Sequence, residues 1–223
     1  MCGRVKLPED LFEVVDAFRI KTNKISDYAP RWNVPPTTAI PVITSVDGER
    51  TLEWMRWGLI PSWAKDEKIS FSTFNARADT IDEKPAFRSA WRAGRRAIIV
   101  TGGFYEWRKP DKQPYCVALG NKQPMLMAGL YETWKPPQGE LVRSCTIITT
   151  EPNALVAQLH DRMPVILDDD PESVAAWLGE TPLPTPKVFL KPFPSERMTM
   201  WPVAKAIGNV KNQGRELAEP ISL

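Results

Sequence analysis

The 223-residue chain carries a formal net charge of +2, with 43% hydrophobic and 25% charged residues. That balance belongs to a globular chain with room for a real core and excludes a disordered one, and no apolar run has the length of a bilayer span. Near-neutral charge neither argues for nucleic acid nor against it, because a binder of this size needs its cations gathered on one face.

The amino-terminal run Met1-Cys2-Gly3-Arg4-Val5-Lys6 leads straight into polar, helix-forming sequence, so no leader peptide is expected and the expected location is cytoplasmic. Pro8 to Phe18 reads as a short amphipathic helix, with Leu11, Val14, Val15 and Phe18 on one face. Arg31-Trp32-Asn33-Val34-Pro35-Pro36 is an extended, proline-stiffened loop. Ala39 to Thr44 and Thr51 to Trp57 read as strands joined through Asp47-Gly48, a common hairpin pair. Pro61 to Thr73 is expected to be a long loop carrying Trp63. Pro85 to Ala93 looks helical and stops near Gly94.

The middle of the chain is rich in strand-type sequence: Arg96 to Thr101, Phe104 to Lys109, Pro114 to Leu119, Met125 to Tyr131 and Ser144 to Thr150, separated by turn pairs such as Gly102-Gly103 and Pro110-Asp111. A helix is expected from Glu151-Pro152 to about Leu159, a short strand at Val165 to Leu167 and a helix at Pro171 to Leu178. Thr181 to Pro194 reads as a proline-rich irregular stretch. No internal repeat or low-complexity block interrupts the chain. The expected class is α+β: one domain over residues 1–223, mainly antiparallel sheet with a barrel-like core and short peripheral helices.

Three cysteines, Cys2, Cys116 and Cys145, make an odd count without metal-ligand spacing, so neither zinc nor a disulfide framework is expected, and no cofactor is implied. Nine tryptophans exceed the usual share; most belong to a core, but some can serve as stacking platforms for bases.

Cys2 carries the most specific chemistry. Met followed by a small residue is the usual context for removal of the initiator methionine, which leaves Cys2 with a free α-amine. That amine ionises near 7.7–8.0 and the thiol near 8.5, so both are partly nucleophilic at neutral pH. A 1,2-aminothiol meeting an aldehyde forms a Schiff base and then closes to a thiazolidine, which is far more persistent. Taken alone, a cysteine at position 2 is more often an ordinary surface or core residue.

Six segments change that reading. Met1-Cys2-Gly3-Arg4, Trp32-Asn33-Val34-Pro35, Phe74-Asn75-Ala76-Arg77-Ala78-Asp79-Thr80, Gly103-Phe104-Tyr105-Glu106-Trp107, Leu159-His160-Asp161-Arg162-Met163-Pro164 and Val203-Ala204-Lys205-Ala206-Ile207-Gly208-Asn209-Val210 together resemble the SOS-response-associated peptidase, or abasic-site processing, family. The likeness runs over nearly the whole chain, with the motifs in the family's order. It implies a protein that binds single-stranded DNA, or the single-strand side of a junction at stalled replication, and cross-links to abasic sites through Cys2. It places the family's Asn, Glu and His on Asn75, Glu106 and His160, and it expects the active form to lack Met1. Tyr105 departs slightly from relatives that carry another residue before the Glu.

The residue types fit those roles. Asn75 can hold an amine or a sugar oxygen in attack geometry, although an Asn before Ala-Arg is commonly a turn residue. Glu106 lies between Tyr105 and Trp107, where burial would raise its pKa toward a range useful for proton transfer; on an alternating strand it could equally face solvent. His160 is the only histidine and sits beside Asp161, which suits an oriented general acid, or a plain surface histidine. Arg77 follows Asn75, and Arg162 follows His160, at a spacing of two that repeats. With Arg4 they are the expected phosphate partners, joined by Asn33, while Trp63 and Trp107 are the candidate wedges or stacking faces. Arg88, Arg92, Arg95 and Arg96 form a local basic cluster that could extend a DNA surface. A monomer suffices, and no membrane partner is expected. A peptidase built on an N-terminal nucleophile and a non-catalytic DNA reader remain open beside the cross-linking reading.

Overall fold

A computed structural model describes residues 2–182 and 185–223; Met1, whose removal the sequence leads one to expect, lies outside the described residues, as do Leu183 and Pro184 of the proline-rich stretch. In chain order the elements are β1 (Val5–Lys6), α1 (Phe12–Ala17), β2 (Thr22–Asn23), β3 (Ala39–Val46), β4 (Glu49–Trp57), β5 (Asn75–Arg77), α2 (Arg88–Arg92), β6 (Arg96–Thr101), β7 (Gly103–Trp107), β8 (Pro114–Leu119), β9 (Met125–Trp134), β10 (Val142–Thr150), β11 (Met163–Pro164), α3 (Pro171–Leu178) and β12 (Met198–Pro202), with short 3-10 turns between them.

The larger sheet runs β11-β10-β9-β6-β3-β4-β2, and β10 also pairs with β4 in parallel through Ser144 opposite Arg56 and Cys145 opposite Trp57. That pairing closes β3, β4, β6, β9 and β10 into a barrel, which leaves those strands no open edge. The other pairings within the barrel are antiparallel, while β5 joins β10 and β2 joins β4 in parallel. The hairpin between β3 and β4 turns at Asp47 (φ 51°) and Gly48 (φ 77°), both left-handed as the expected turn requires. A second sheet, β1-β7-β8-β12, packs on the barrel. Val5, Phe104 and Val117 of that sheet share one buried cluster with Val42, Ile99, Met127 and Ile147 of the barrel, so both sheets seal a common core. The other faces of the barrel strands, including Ile43, Ile98 and Ile148, are covered by Leu11 and Val14 beside α1 and by Val174 and Trp177 of α3. Burial on both faces explains why β6 reads as an unbroken apolar run rather than an alternating one.

Several expected elements are shorter than the sequence suggests, each for a local reason. The first helix begins at Phe12 rather than Pro8, because the Asp10 side chain accepts the Phe12 N–H (2.7 Å) and the Tyr28 hydroxyl takes the Pro8 carbonyl. The helix expected up to Leu159 is only a 3-10 turn, Val156–Gln158. Asn153 Oδ1 accepts the N–H groups of Leu155 and Val156 (3.1 and 2.9 Å) while its Nδ2 donates to Phe193 O (2.7 Å), which turns the chain before a helix can extend. The helix expected from Pro85 is confined to Arg88–Arg92 and ends before Gly94 (φ 66°). The expected strand at Val165 to Leu167 is extended and hydrogen-bonds to β9 and β10, but the paired strand is Met163–Pro164. No helix among the described residues is long and apolar enough to cross a membrane.

Candidate active site

β1 lies antiparallel along β7, with Val5 opposite Phe104 and Lys6 opposite Gly103. Gly103 begins β7 at φ 146°, and a Cβ there would stand 2.6 Å from the Val117 carbonyl oxygen, so only glycine lets β7 start this close to β8. The Tyr105 N–H donates to Arg4 O (2.9 Å), which extends the pairing and brings Gly3 and Cys2 level with Glu106 and Trp107. Glu106 is buried at 4% exposure, so the solvent-facing alternative for this carboxylate does not apply. Alternation along β7 explains it: Phe104 belongs to the central core, Tyr105 to the cluster on the far side of the sheet, and Glu106 follows Phe104 inward.

Cys2 is fully buried and packs in the central core. Its carbonyl accepts the Asn75 Nδ2–H at 2.8 Å. Asn75 is held by β5, which runs parallel to β10 with Asn75 opposite Ile147 and Arg77 opposite Thr149. Asn75 Oδ1 is also buried and has no hydrogen-bond partner among the described residues. Burial, and then the Glu106 charge, push the Cys2 thiol well above its ordinary range; a bond from the Arg4 N–H opposes them. Burial also raises the Glu106 carboxyl above its ordinary value, with the Asp161 charge adding a smaller push the same way.

His160 follows the 3-10 turn, its N–H bonded to Val156 O (2.9 Å). The ring Nδ1 accepts the Arg162 N–H at 3.1 Å and stands 2.8 Å from Asp161 Oδ1. The two contacts suit different protonation states: a bare Nδ1 accepts from Arg162, and a protonated one donates to Asp161. Burial lowers the His160 pKa, with Asp161 working against it. The ring also borders a cavity of about 440 Å³ whose walls include Lys109, Pro110 and Pro152.

Beside this group lie two of the expected phosphate partners, Arg77 and Arg162. Arg77 is exposed and holds Asp79 with a fork, Nε to Oδ1 at 3.1 Å and Nη2 to Oδ2 at 2.7 Å. Arg162 is mostly buried, bonds the Thr149 carbonyl through Nη2, and places that nitrogen 3.9 Å from Asp79 Oδ1. Burial first, and then the neighbouring Arg77 charge, lower the Arg162 pKa. Asp79 therefore stands between two guanidinium groups. The sequence reading quoted it within its motif but gave it no role; the only signal was its spacing of two from Arg77.

Arg4, half-buried, bonds Asn33 Oδ1 (2.5 Å) and Ile207 O (2.8 Å) and lies over the Trp107 ring at 5.8 Å. Trp107 packs in turn on the Tyr105, Val203 and Ile207 cluster. Asn33 differs from its expected place at a DNA surface. It is fully buried, and its Nδ2 donates to Asn209 O (3.0 Å) and Asn212 O (2.9 Å), so every hydrogen-bonding group of its side chain is spent inside the protein. Trp63 is 57% exposed on the loop after β4, which Trp134 ties down by donating Nε1–H to Ala64 O (2.8 Å). The basic cluster near α2 is divided: Arg95 pairs with the buried Glu132 (2.6 Å), Arg96 bonds the Trp177 carbonyl, and only Arg88 and Arg92 face solvent freely.

Asn75 is hydrogen-bonded to Cys2, the Glu106 charge acts on the Cys2 thiol, and Asp161, beside His160, acts in turn on Glu106, so β1, β5, β7 and the 160s loop come together here, with Arg77 two residues from Asn75 and Arg162 two from His160. The family model described as SOS response associated peptidase (SRAP) matches residues 1–210. The chain belongs to the SRAP family. Similar SRAP relatives include abasic site processing protein YoqW of Bacillus subtilis (strain 168), 39% identical with 98% of this chain and 99% of the relative covered. Another is abasic site processing protein HMCES of Xenopus tropicalis, 34% identical over 88% of this chain and 68% of the relative. A crystal structure of a protein from Bacteroides thetaiotaomicron superposes with a TM-score of 0.85 at 27% identity, covering 99% of this chain and all of that one. Four of the six motif segments contribute residues to this cluster, and the Trp32–Pro35 and Val203–Val210 segments reach it through Arg4, by Asn33 Oδ1 and Ile207 O.

Proposed function

We propose that this SRAP protein processes abasic sites in single-stranded DNA by covalent capture, using Cys2 as a free N-terminal residue. The observation that carries the reading is the hydrogen bond of Cys2 to Asn75, with the buried Glu106 on the adjoining strand near enough for its charge to act on the Cys2 thiol. Hydrolysis of the Met1–Cys2 amide, consuming one water, frees the α-amine; with Glu106 as its general base, this self-cleavage would account for a peptidase-type activity without any peptide substrate. The amine then adds to the aldehyde carbon of the opened deoxyribose, and loss of water gives the imine. The Cys2 sulfur adds to the imine carbon as its proton passes to nitrogen, closing the thiazolidine. The net reaction joins aminothiol and aldehyde and releases one water.

Glu106 suits the proton transfers, because burial gives it a pKa above that of an ordinary carboxylate. His160 suits protonation of the sugar ring oxygen, its imidazolium oriented by Asp161. If the imine persists, loss of the C2′ proton expels the 3′ phosphate and cuts the strand; thiazolidine closure removes the imine and suppresses that lyase route. Arg77 and Arg162 hold flanking phosphates, and Trp63 and Trp107 flank the neighbouring bases. Asn33 serves this site by fixing Arg4. The protein acts as a monomer at single-strand gaps and junctions.

The test is incubation with an oligonucleotide carrying one abasic site, read by denaturing gel and intact mass. The expected result is an adduct with the mass of protein lacking Met1 plus DNA less one water, absent in Cys2→Ala. No adduct from protein with a free Cys2 amine would overturn the reading in favour of non-covalent DNA recognition.

A further inference from the structure

The arginine pair at the rim is already engaged in this structure: a carboxylate lies between the two guanidinium groups. Asp79 accepts both Nε–H and Nη2–H of Arg77 and stands 3.9 Å from Arg162 Nη2. A carboxylate engaged by an arginine fork offers two oxygens to two parallel donors, the same arrangement in which arginine takes a phosphate. The two cations differ in freedom. Arg162 is anchored on Thr149 and only 14% of its side chain is exposed, whereas Arg77 and Asp79 are 58% and 51% exposed and can swing.

We infer that Asp79 is an internal stand-in for DNA phosphate, a specificity-determining residue that must give up Arg77 and Arg162 before a strand is bound. This rests on the reading of those arginines as phosphate partners. Arg162 stays fixed while the Arg77–Asp79 fork opens, the phosphate takes the place of the carboxylate, and Asp79 turns to water. The exchange trades one anion for another at the same donors. An exposed ion pair is weak, so the toll is small, about two- to fivefold in affinity, and it falls alike on every strand that reaches the rim. An intact strand has only the phosphate contacts to offset it. An abasic strand also gains the covalent bond at Cys2, which the toll cannot reverse. Asp79 thereby shortens the stay on intact DNA without reducing the final yield at a lesion.

The measurement is fluorescence anisotropy of a labelled intact single-stranded oligonucleotide, free of abasic sites, with wild type, Asp79→Asn, Arg77→Ala, Arg162→Ala and the Asp79→Asn/Arg77→Ala double variant across a salt series. Asp79→Asn keeps the side-chain volume, and thermal melting checks that the fold is retained. The expected result is that Asp79→Asn binds about two- to fivefold tighter at low salt, that the gain shrinks as salt rises, and that it disappears when Arg77 is absent. Unchanged or weaker binding by Asp79→Asn, with Arg77→Ala clearly weakened, would overturn the inference and leave the phosphate role of Arg77 intact. Undiminished binding by both Arg77→Ala and Arg162→Ala would instead sink the phosphate reading, and this inference with it.

Discussion

At the residue scale the decisive group is Glu106, because its burial has opposite consequences for activity and for stability. A carboxyl whose folded-state pKa is raised stabilises the fold below its unfolded pKa, about 4.3, and loses that contribution as pH rises through the folded value. Glu106→Gln removes the ionisation at nearly constant volume. Its melting temperature should match that of wild type near pH 4 and exceed it by a few degrees at pH 8. Each tenfold suppression of ionisation is worth about 1.4 kcal/mol, and 1 kcal/mol moves a chain of this size by about 2–4 °C. Activity runs the other way. The rate of adduct formation should fall by about 10²–10⁴ in Glu106→Gln at pH 8, as for loss of a general base. The ratio of wild-type to variant rate should shrink toward one as pH drops through the raised Glu106 pKa. Taking the ratio cancels the protonation of the Cys2 amine, which both proteins share. A ratio constant with pH would mean that Glu106 does not act through its ionised form.

At the level of elements, the parts legible in the sequence were those governed by local pattern. The strand at Arg96–Thr101, the strand at Pro114–Leu119 and the helix at Pro171–Leu178 stand where composition and proline placement put them. The spacing of two between Asn75 and Arg77 falls on the short strand Asn75–Arg77, where alternation gives both the same face, but its partner, β10, is distant in sequence. What local pattern could not reveal was burial decided by remote segments. Glu106 reads equally well as a surface carboxylate until β1 is laid beside β7. Asn33, inside a proline-stiffened loop, gives no local sign that residues 209–212 come back over it.

That return contact yields a prediction at the same scale. Asn33→Ala takes the side-chain donor from Asn212 O, one of two donors from Asn209 O and one of two acceptors from Arg4, at about 0.5–1.5 kcal/mol for each hydrogen bond lost. The variant should melt about 5–10 °C lower, and limited proteolysis should cut the 205–213 segment faster. A residue whose business was direct DNA contact would show the reverse: unchanged melting with weakened binding. Melting and anisotropy on one preparation separate the two.

For the whole molecule, the question is how a chain with 29 basic and 27 acidic residues holds a polyanion. Much of its exposed charge is paired: Lys21 with Glu49, Arg108 with Asp111, Lys187 with Asp82 and Arg197 with Asp168. The cluster near α2 is split by structural bonds to Glu132 and to the Trp177 carbonyl. Long-range steering is therefore weak, and affinity must come from the few cations at the rim of the site. Two or three phosphate contacts to a single strand give a slope of log K against log salt of about −1.4 to −2.1, at roughly −0.7 per contact. Arg77→Ala should make that slope shallower by about 0.7, while Arg88→Ala, on the solvent face of α2, should leave it unchanged. The finished adduct should not respond to salt at all, since its bond to Cys2 is covalent. A slope several times steeper, or one that Arg88→Ala reduces as much as Arg77→Ala, would place the DNA on a broad basic surface instead of the narrow rim where Arg77, Arg162 and Cys2 meet.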